Sequence, residues 1–212
     1  MNTTARRNLE LLATAKNNQH EGSLLWVLDQ TATSMGARLL RQWISQPLTH
    51  LPEITSRLDG VDELVKNPAI REGVRRTLPD IYDIERLSAK IANLSAAPRD
   101  LVSLRQSISR LPELSNLVKP LESFHLIRLQ AFPPELFKLT ALIEQALDDS
   151  PGLNLKEGGI IKPGYHQELD RLRDLVSGHE RWLADYEQQE RERTGIKTLK
   201  LSFNSAFGYF IE

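Results

Sequence analysis

The stretch from Tyr165 to Phe210 most constrains what this chain can fold into. From Tyr165 to Thr194 it carries no proline, and its one glycine, Gly178, costs about 1 kcal/mol against alanine inside a helix. Apolar or half-apolar residues fall at Leu169, Leu172, Val176, His179, Leu183 and Tyr186, at steps that alternate between three and four. That alternation is the seam of a helix that lies against another helix. At 1.5 Å per residue, such an arm over residues 166–195 is about 40 Å long. Its last turns, Glu187 to Arg193, are almost wholly charged and are expected to stand in water. Gly195 offers the left-handed stop that ends many helices. Beyond it, Thr198–Phe203 alternates with period two, Asn204-Ser205 can turn, and Phe207, Tyr209 and Ile211 alternate again. This pattern predicts a β-hairpin at the tip of the arm.

Upstream, prolines and capping residues punctuate a helical body. Thr4–Leu12 reads as a strand or a short helix, and Lys16–Gly22 as a loop. Leu24, Leu25, Val27 and Leu28 predict a short buried helix. Thr33-Ser34 supplies an N-cap for a helix with Leu39, Leu40, Trp43 and Ile44 on one face, which Pro47 ends. Pro52 suits the first turn of the next helix, where Ile54, Leu58, Val61 and Leu64-Val65 keep a helical period. Further helices are predicted over residues 69–78, ending at Pro79, and over 82–94, with Ile84, Leu87, Ile91 and Leu94 on one face. Another starts at Pro98 and buries Leu101, Leu104, Ile108 and Leu111. A last one starts at Pro133-Pro134 and runs through Leu136, Leu139, Leu142-Ile143 and Leu147. Between Pro112 and Phe132 the periodicity breaks up. Leu153–Leu155 and Gly159–Ile161 predict a short β excursion before the arm.

The 212 residues suffice for one large or two small domains. They include no cysteine, which excludes disulfides and thiolate metal sites and fits a cytoplasmic protein. No apolar run reaches the roughly 18 residues of a membrane span, and no secretory signal opens the chain. A net charge of −1 lacks the basic excess of a free-standing nucleic-acid-binding module. Gly195-Ile196-Lys197-Thr198 ends like a phosphate-binding loop, but Glu190 fills the place of its first glycine and no strand precedes it. His179-Glu180 begins like a zinc-protease helix, but Leu183 stands where the second ligand is needed. Lys156–Gly159 reads as a tight turn, and Asp83, Glu85 and Arg86 as a helix cap with local pairing. The residues thus point to no catalytic group, cofactor or metal in this chain. In the hairpin, Lys197, Lys200, Asn204 and Tyr209 have the chemistry to touch a phosphate backbone. Lysines on an edge strand also deter aggregation, so both readings stand.

Five stretches carry a family resemblance: Thr4-Ala5-Arg6-Arg7-Asn8-Leu9-Glu10-Leu11; Leu28-Asp29-Gln30-Thr31-Ala32-Thr33-Ser34-Met35-Gly36-Ala37-Arg38-Leu39-Leu40-Arg41-Gln42-Trp43; Asp83-Ile84-Glu85-Arg86-Leu87; Ala97-Pro98-Arg99-Asp100-Leu101; and Arg191 to Lys200, followed by Phe203-Asn204 and Gly208-Tyr209. In this order they resemble the core and lever region of the MutS family of DNA mismatch-repair proteins. The resemblance covers essentially the whole chain. It implies a mainly α fold: a helical core over residues 1–165, a long protruding lever helix over 166–195, and a short C-terminal β-hairpin, the start of a clamp, over 196–212. It also implies a mechanical role, in which the lever links a DNA-gripping clamp to a distant ATPase.

Nothing in the chain resembles the family's mismatch-reading, connector or ATPase domains, so the chain is expected to be an excised fragment and not itself an enzyme. ATP and Mg²⁺ would belong to the full-length protein. Mismatched duplex DNA, a second MutS subunit and MutL would be partners of that protein, with no membrane involved. Most of the clamp would follow Glu212, and the distal seam from Leu183 onward is expected to face a helix returning from it. A paralogue that keeps the lever without mismatch recognition, and a free-standing helical interaction scaffold without a DNA role, are the alternatives.

Overall fold

The computed structural model describes residues 3–152, 155, 158–204 and 208–212, without the side chains of Thr3, His179 and Glu180. The chain divides into two compact units, Met1–Ile161 and Lys162–Glu212.

The first unit is helical. Its elements are α1 (Thr3–Asn8), α2 (Leu24–Leu28), α3 (Ser34–Ser45), α4 (Leu51–Lys66), α5 (Pro68–Thr77), a 3₁₀ turn (Leu78–Asp80), α6 (Ile84–Ala92), α7 (Pro98–Val118), α8 (Phe124–Ile127) and α9 (Pro134–Ala146). Prolines open α4, α5, α7 and α9, where the missing N–H is not needed. Thr33 caps α3 by accepting the Gly36 amide at 3.0 Å, and the helix stops at Ser45, short of Pro47. Of the residues expected to make α2 a buried helix, Leu25 alone is buried. Leu24, Val27 and Leu28 are exposed, because five residues are too few to turn more than one of them inward. Among the described residues the expected β excursion reduces to one antiparallel bridge between Leu147 and Ile161; Leu153 and Asn154 lie outside them.

α7 is the axis of this unit. Leu104, Ile108, Leu111 and Leu114 form its main core with Ile81 and Leu87, and Met35, Val74, Phe132 and Leu136 pack around them. Val118, Leu121 and Leu126 make a second cluster with Leu64, Ile70 and Leu129. The helix continues through Pro112, where the sequence pattern predicts a break. An interior proline costs about 3 kcal/mol. Its ring faces solvent here, and the turns beyond it bury Leu114 and Val118, each contributing about 1.5–3 kcal/mol, which together offset that cost. Gln130 then caps the C-terminal end, its Nε2 donating to the Val118, Lys119 and Leu121 carbonyls at 3.1, 3.3 and 2.6 Å.

α3 is tied to α6 by charge. The Arg38 guanidinium grips both Asp83 carboxylate oxygens, Nη1 on Oδ2 and Nη2 on Oδ1 at 2.9 Å, and reaches Glu85 at 2.6 Å. Asp83 also caps α6 by accepting the Arg86 amide at 3.1 Å, and it accepts the Ser34 hydroxyl at 3.1 Å.

The second unit is one long helix and a hairpin. α10 runs unbroken from Gln167 to Thr194, 28 residues, and Gly195 ends it at φ 71°, the left-handed conformation glycine adopts without strain. β1 (Leu201–Asn204) and β2 (Gly208–Ile211) pair antiparallel, with Leu201 opposite Ile211 and Phe203 opposite Tyr209. Ser205 and Phe207 of the predicted turn and strand lie outside the described residues.

The Arg38–Asp83 tie yields a prediction. Asp83→Ala removes the α6 cap and the acceptor for Arg38, so unfolding in urea at pH 7 should show a loss of about 2–3 kcal/mol. Arg38, helped by the Arg86 amide and Ser34, holds the Asp83 carboxyl well below the usual carboxylate range. A depressed carboxylate stabilises the fold above its unfolded-state pKa, and that contribution is lost as pH falls through about 4 toward the folded-state value. The gap between the parent and Asp83→Ala should therefore narrow below about pH 4.

Candidate nucleic-acid interface

In the second unit the alternation of β1 and β2 sorts the hairpin into two faces. Lys200 and Glu212 exchange both backbone hydrogen bonds, at 2.8 and 2.9 Å, so they are direct cross-strand neighbours. Lys200, Ser202 and Asn204 share that face with Glu212 and Phe210. Ser202 donates its hydroxyl to Glu212 Oε1 at 2.7 Å. Tyr209 lies on the opposite face beside Phe203, ring centroids 4.9 Å apart, together with Leu201 and Ile211. Lys197 sits outside both strands, in the turn after Gly195. The structure thus brings Lys200 and Asn204 onto one face and puts Tyr209 on the other. Lys197 and Lys200 are both exposed.

The expected seam of α10 is covered unevenly. Leu169 is half-buried, while Leu172 and Val176 are 47% and 62% exposed. The His179 side chain lies outside the described residues. Leu183 and Tyr186 are half-buried, and with Trp182, Leu201, Tyr209 and Ile211 they line a groove of about 340 Å³ between helix and hairpin. Trp182 and Tyr186 stack across one turn, 5.4 Å between centroids. The distal seam residues therefore meet the chain's own hairpin.

The charged end of α10 is not the bare solvent-facing segment its composition predicts. Glu187 and Arg191 pair at 2.7 Å and also bond the strand that follows: Glu187 Oε2 accepts the Leu201 amide at 2.9 Å, and Arg191 Nε donates to the Leu199 carbonyl at 2.7 Å. Leu199 is buried. Sequence reasoning missed both residues, because an i,i+4 Glu–Arg pair inside a charged run looks the same whether or not it holds anything else. The Arg38–Asp83 tie was hidden differently. The cap at Asp83 is legible, but a partner 45 residues away is not.

In the first unit a cleft of about 400 Å³ is lined by Asp80, Tyr82, Arg105 and Arg110. Its guanidiniums are committed, Arg105 to Asp149 at 2.7 Å and Arg110 to Asp80 at 3.0 Å, so it offers no net charge to an anion. Among the described residues no group of His, Asp and Glu is placed to hold a metal ion, and no helix is long and apolar enough to cross a membrane.

Comparison with known proteins supplies the context for this unit. The family model described as MutS domain III matches residues 4–205. The DNA mismatch repair protein MutS of Trichormus variabilis is 48% identical over 206 residues, 97% of this chain and 24% of that protein. The MutS of Trichodesmium erythraeum is 46% identical over 207 residues, covering 98% and 23%. That of Lachnoclostridium phytofermentans is 45% identical over 212 residues, covering 100% and 23%. The chain spans about a quarter of the length of the curated relatives it matches. With a helical body, a 28-residue helix ending in a hairpin, and a match along nearly its whole length, the chain belongs to the MutS family and corresponds to domain III of that family.

Proposed function

We propose that the chain is the core-and-lever segment of a DNA mismatch-repair protein, passing strain between a clamp that grips DNA and an ATPase domain elsewhere in the intact protein. The observation that carries this reading is α10, an unbroken helix of 28 residues whose end is hydrogen-bonded to the hairpin that follows it. Coupling between distant sites needs an element whose displacement at one end appears at the other, and a continuous helix about 42 Å long is such an element. The partners of the intact protein in this reading are mismatched duplex DNA, a second MutS subunit and MutL. ATP and Mg²⁺ are held outside this segment.

Alone, the 212-residue chain should turn over no ATP above a mock preparation. It should bind duplex DNA with a dissociation constant above about 1 μM at physiological salt and without preference for a mismatch. The hairpin face carrying Lys200 also carries Glu212, and neutralising few phosphates gives little counterion release. Tighter binding in a fluorescence-anisotropy titration, or discrimination between mismatched and paired duplex, would show that the hairpin does more than this reading allows.

Val176→Pro tests the lever. It removes a backbone hydrogen bond and clashes with the preceding turn, at a cost of about 3 kcal/mol or more. In the intact protein we expect it to reduce the stimulation of ATP turnover by DNA while sparing turnover without DNA. In the isolated chain the helices before Pro151 should keep their hydrogen-exchange protection. Undiminished DNA stimulation in a folded Val176→Pro protein would remove the case for α10 as the coupling element.

A further inference from the structure

The contacts of Glu187 and Arg191 go beyond those of an ion pair on a helix surface. The two residues lie one turn apart, and their side chains are 25% and 38% exposed. Their pairing uses Glu187 Oε1 and Arg191 Nη2, which leaves Glu187 Oε2 and Arg191 Nε for the strand. The two backbone groups they take, the Leu199 carbonyl and the Leu201 amide, flank Lys200. Lys200 points its own amide and carbonyl at Glu212 of the opposite strand. Alternation along a strand therefore places the Leu199 and Leu201 groups on the other edge, the one β2 does not cover. Helix α10 thus closes the open edge of the hairpin at its root with one acceptor and one donor. A single bond would let the strand pivot about it. Two bonds of opposite polarity, two residues apart, fix its direction as well as its position, and Leu199 between helix and strand is 5% exposed.

We infer that Glu187 and Arg191 are positioning residues that lock the hairpin to helix α10, so that the joint after Gly195 transmits rotation of the helix instead of acting as a hinge. This inference rests on the coupling role proposed above. Without the lock, the hairpin would be joined to the helix by the turn over residues 195–198 and the packing along the Trp182–Tyr186 groove.

The chain has no cysteine, so labels at Ala184→Cys on the helix and Asn204→Cys on the hairpin report the joint directly. We expect one narrow distance distribution by pulsed electron resonance in the parent chain and a broad one in Glu187→Ala and Arg191→Ala, with helix content by circular dichroism unchanged. The Leu201 amide should exchange about ten-fold faster in both variants. A charge-exchanged chain, Glu187→Arg with Arg191→Glu, restores an ion pair but puts a donor opposite the Leu201 amide and an acceptor opposite the Leu199 carbonyl. It should stay as broad as the alanine variants. In the intact protein both alanine variants should lose about five-fold or more of the DNA stimulation of ATP turnover, with turnover in the absence of DNA unchanged. A narrow distribution in Glu187→Ala, or its recovery on charge exchange, overturns the lock. Full DNA stimulation in Glu187→Ala, alongside its loss in Val176→Pro, overturns the lock and leaves the coupling reading standing. Full stimulation in both variants overturns both.

Discussion

A helix keeps its direction only while each backbone N–H finds the carbonyl four residues back, and each unit of this chain hangs on one long helix that meets this requirement under different conditions. In α7 the ladder loses a bond at Pro112, and the core makes up the deficit because the turns on either side bury Ile108, Leu111, Leu114 and Val118. α10 has no comparable core. Leu172, Leu175 and Val176 are all exposed, and an isolated helix gains little per residue in water. Its continuity depends on an absence of proline, on the Gly195 stop, and on pairs such as Glu168–Arg171 and Glu190–Arg193 that span single turns. Two of its half-buried residues, Leu183 and Tyr186, line a groove together with the hairpin it carries. The same proline that α7 absorbs at position 112 would meet no compensating burial in the middle of α10.

What the sequence made legible follows from the range of the interaction involved. Local rules placed the elements. Prolines 98 and 134 open helices, Thr33 and Asp83 cap them, Gly195 ends the longest one, and the period-two alternation on either side of Asn204 marks the two strands. Where local and tertiary terms conflict, the local reading failed. Pro112 looks like a stop until the burial of Leu114 and Val118 is counted, and burial depends on neighbours from α4, α5, α6, α8 and α9 that periodicity cannot name. Leu24, Val27 and Leu28 failed in the opposite sense, since apolar character alone does not state whether a short helix has anything to turn toward. The family came from motifs in order and not from any one of them.

The hairpin was legible as an element but not as a face. Lys200, Asn204 and Tyr209 are close in sequence, and register puts Tyr209 on the face opposite the other two, because successive side chains of a strand point to opposite sides. Tyr209 goes with Phe203 and the apolar groove. Lys200 goes with Ser202 and Asn204, next to a carboxylate. An interface that held DNA by charge would put its cations together and away from Glu212. On this face Lys200 stands beside Glu212 instead, while Glu187 and Arg191 of α10 hold the strand in place through its backbone.

Holding in place is also what distinguishes the charged end of α10 from an ordinary solvated helix terminus. A run such as Glu187–Arg193 is normally explained by solubility and by pairs between neighbouring turns, and Arg193 with Glu190 needs no other account. Glu187 and Arg191 make that same kind of pair and spend their remaining atoms on the backbone of the next element. Side chains that bond a strand's backbone constrain it whatever side chains the strand carries, so the sequence of the hairpin can vary without loosening the joint. In the coupling role proposed for α10, a lever acts at a distance only if its last joint is as stiff as its shaft, and the two bonds from Glu187 and Arg191 are the contacts that role would draw on.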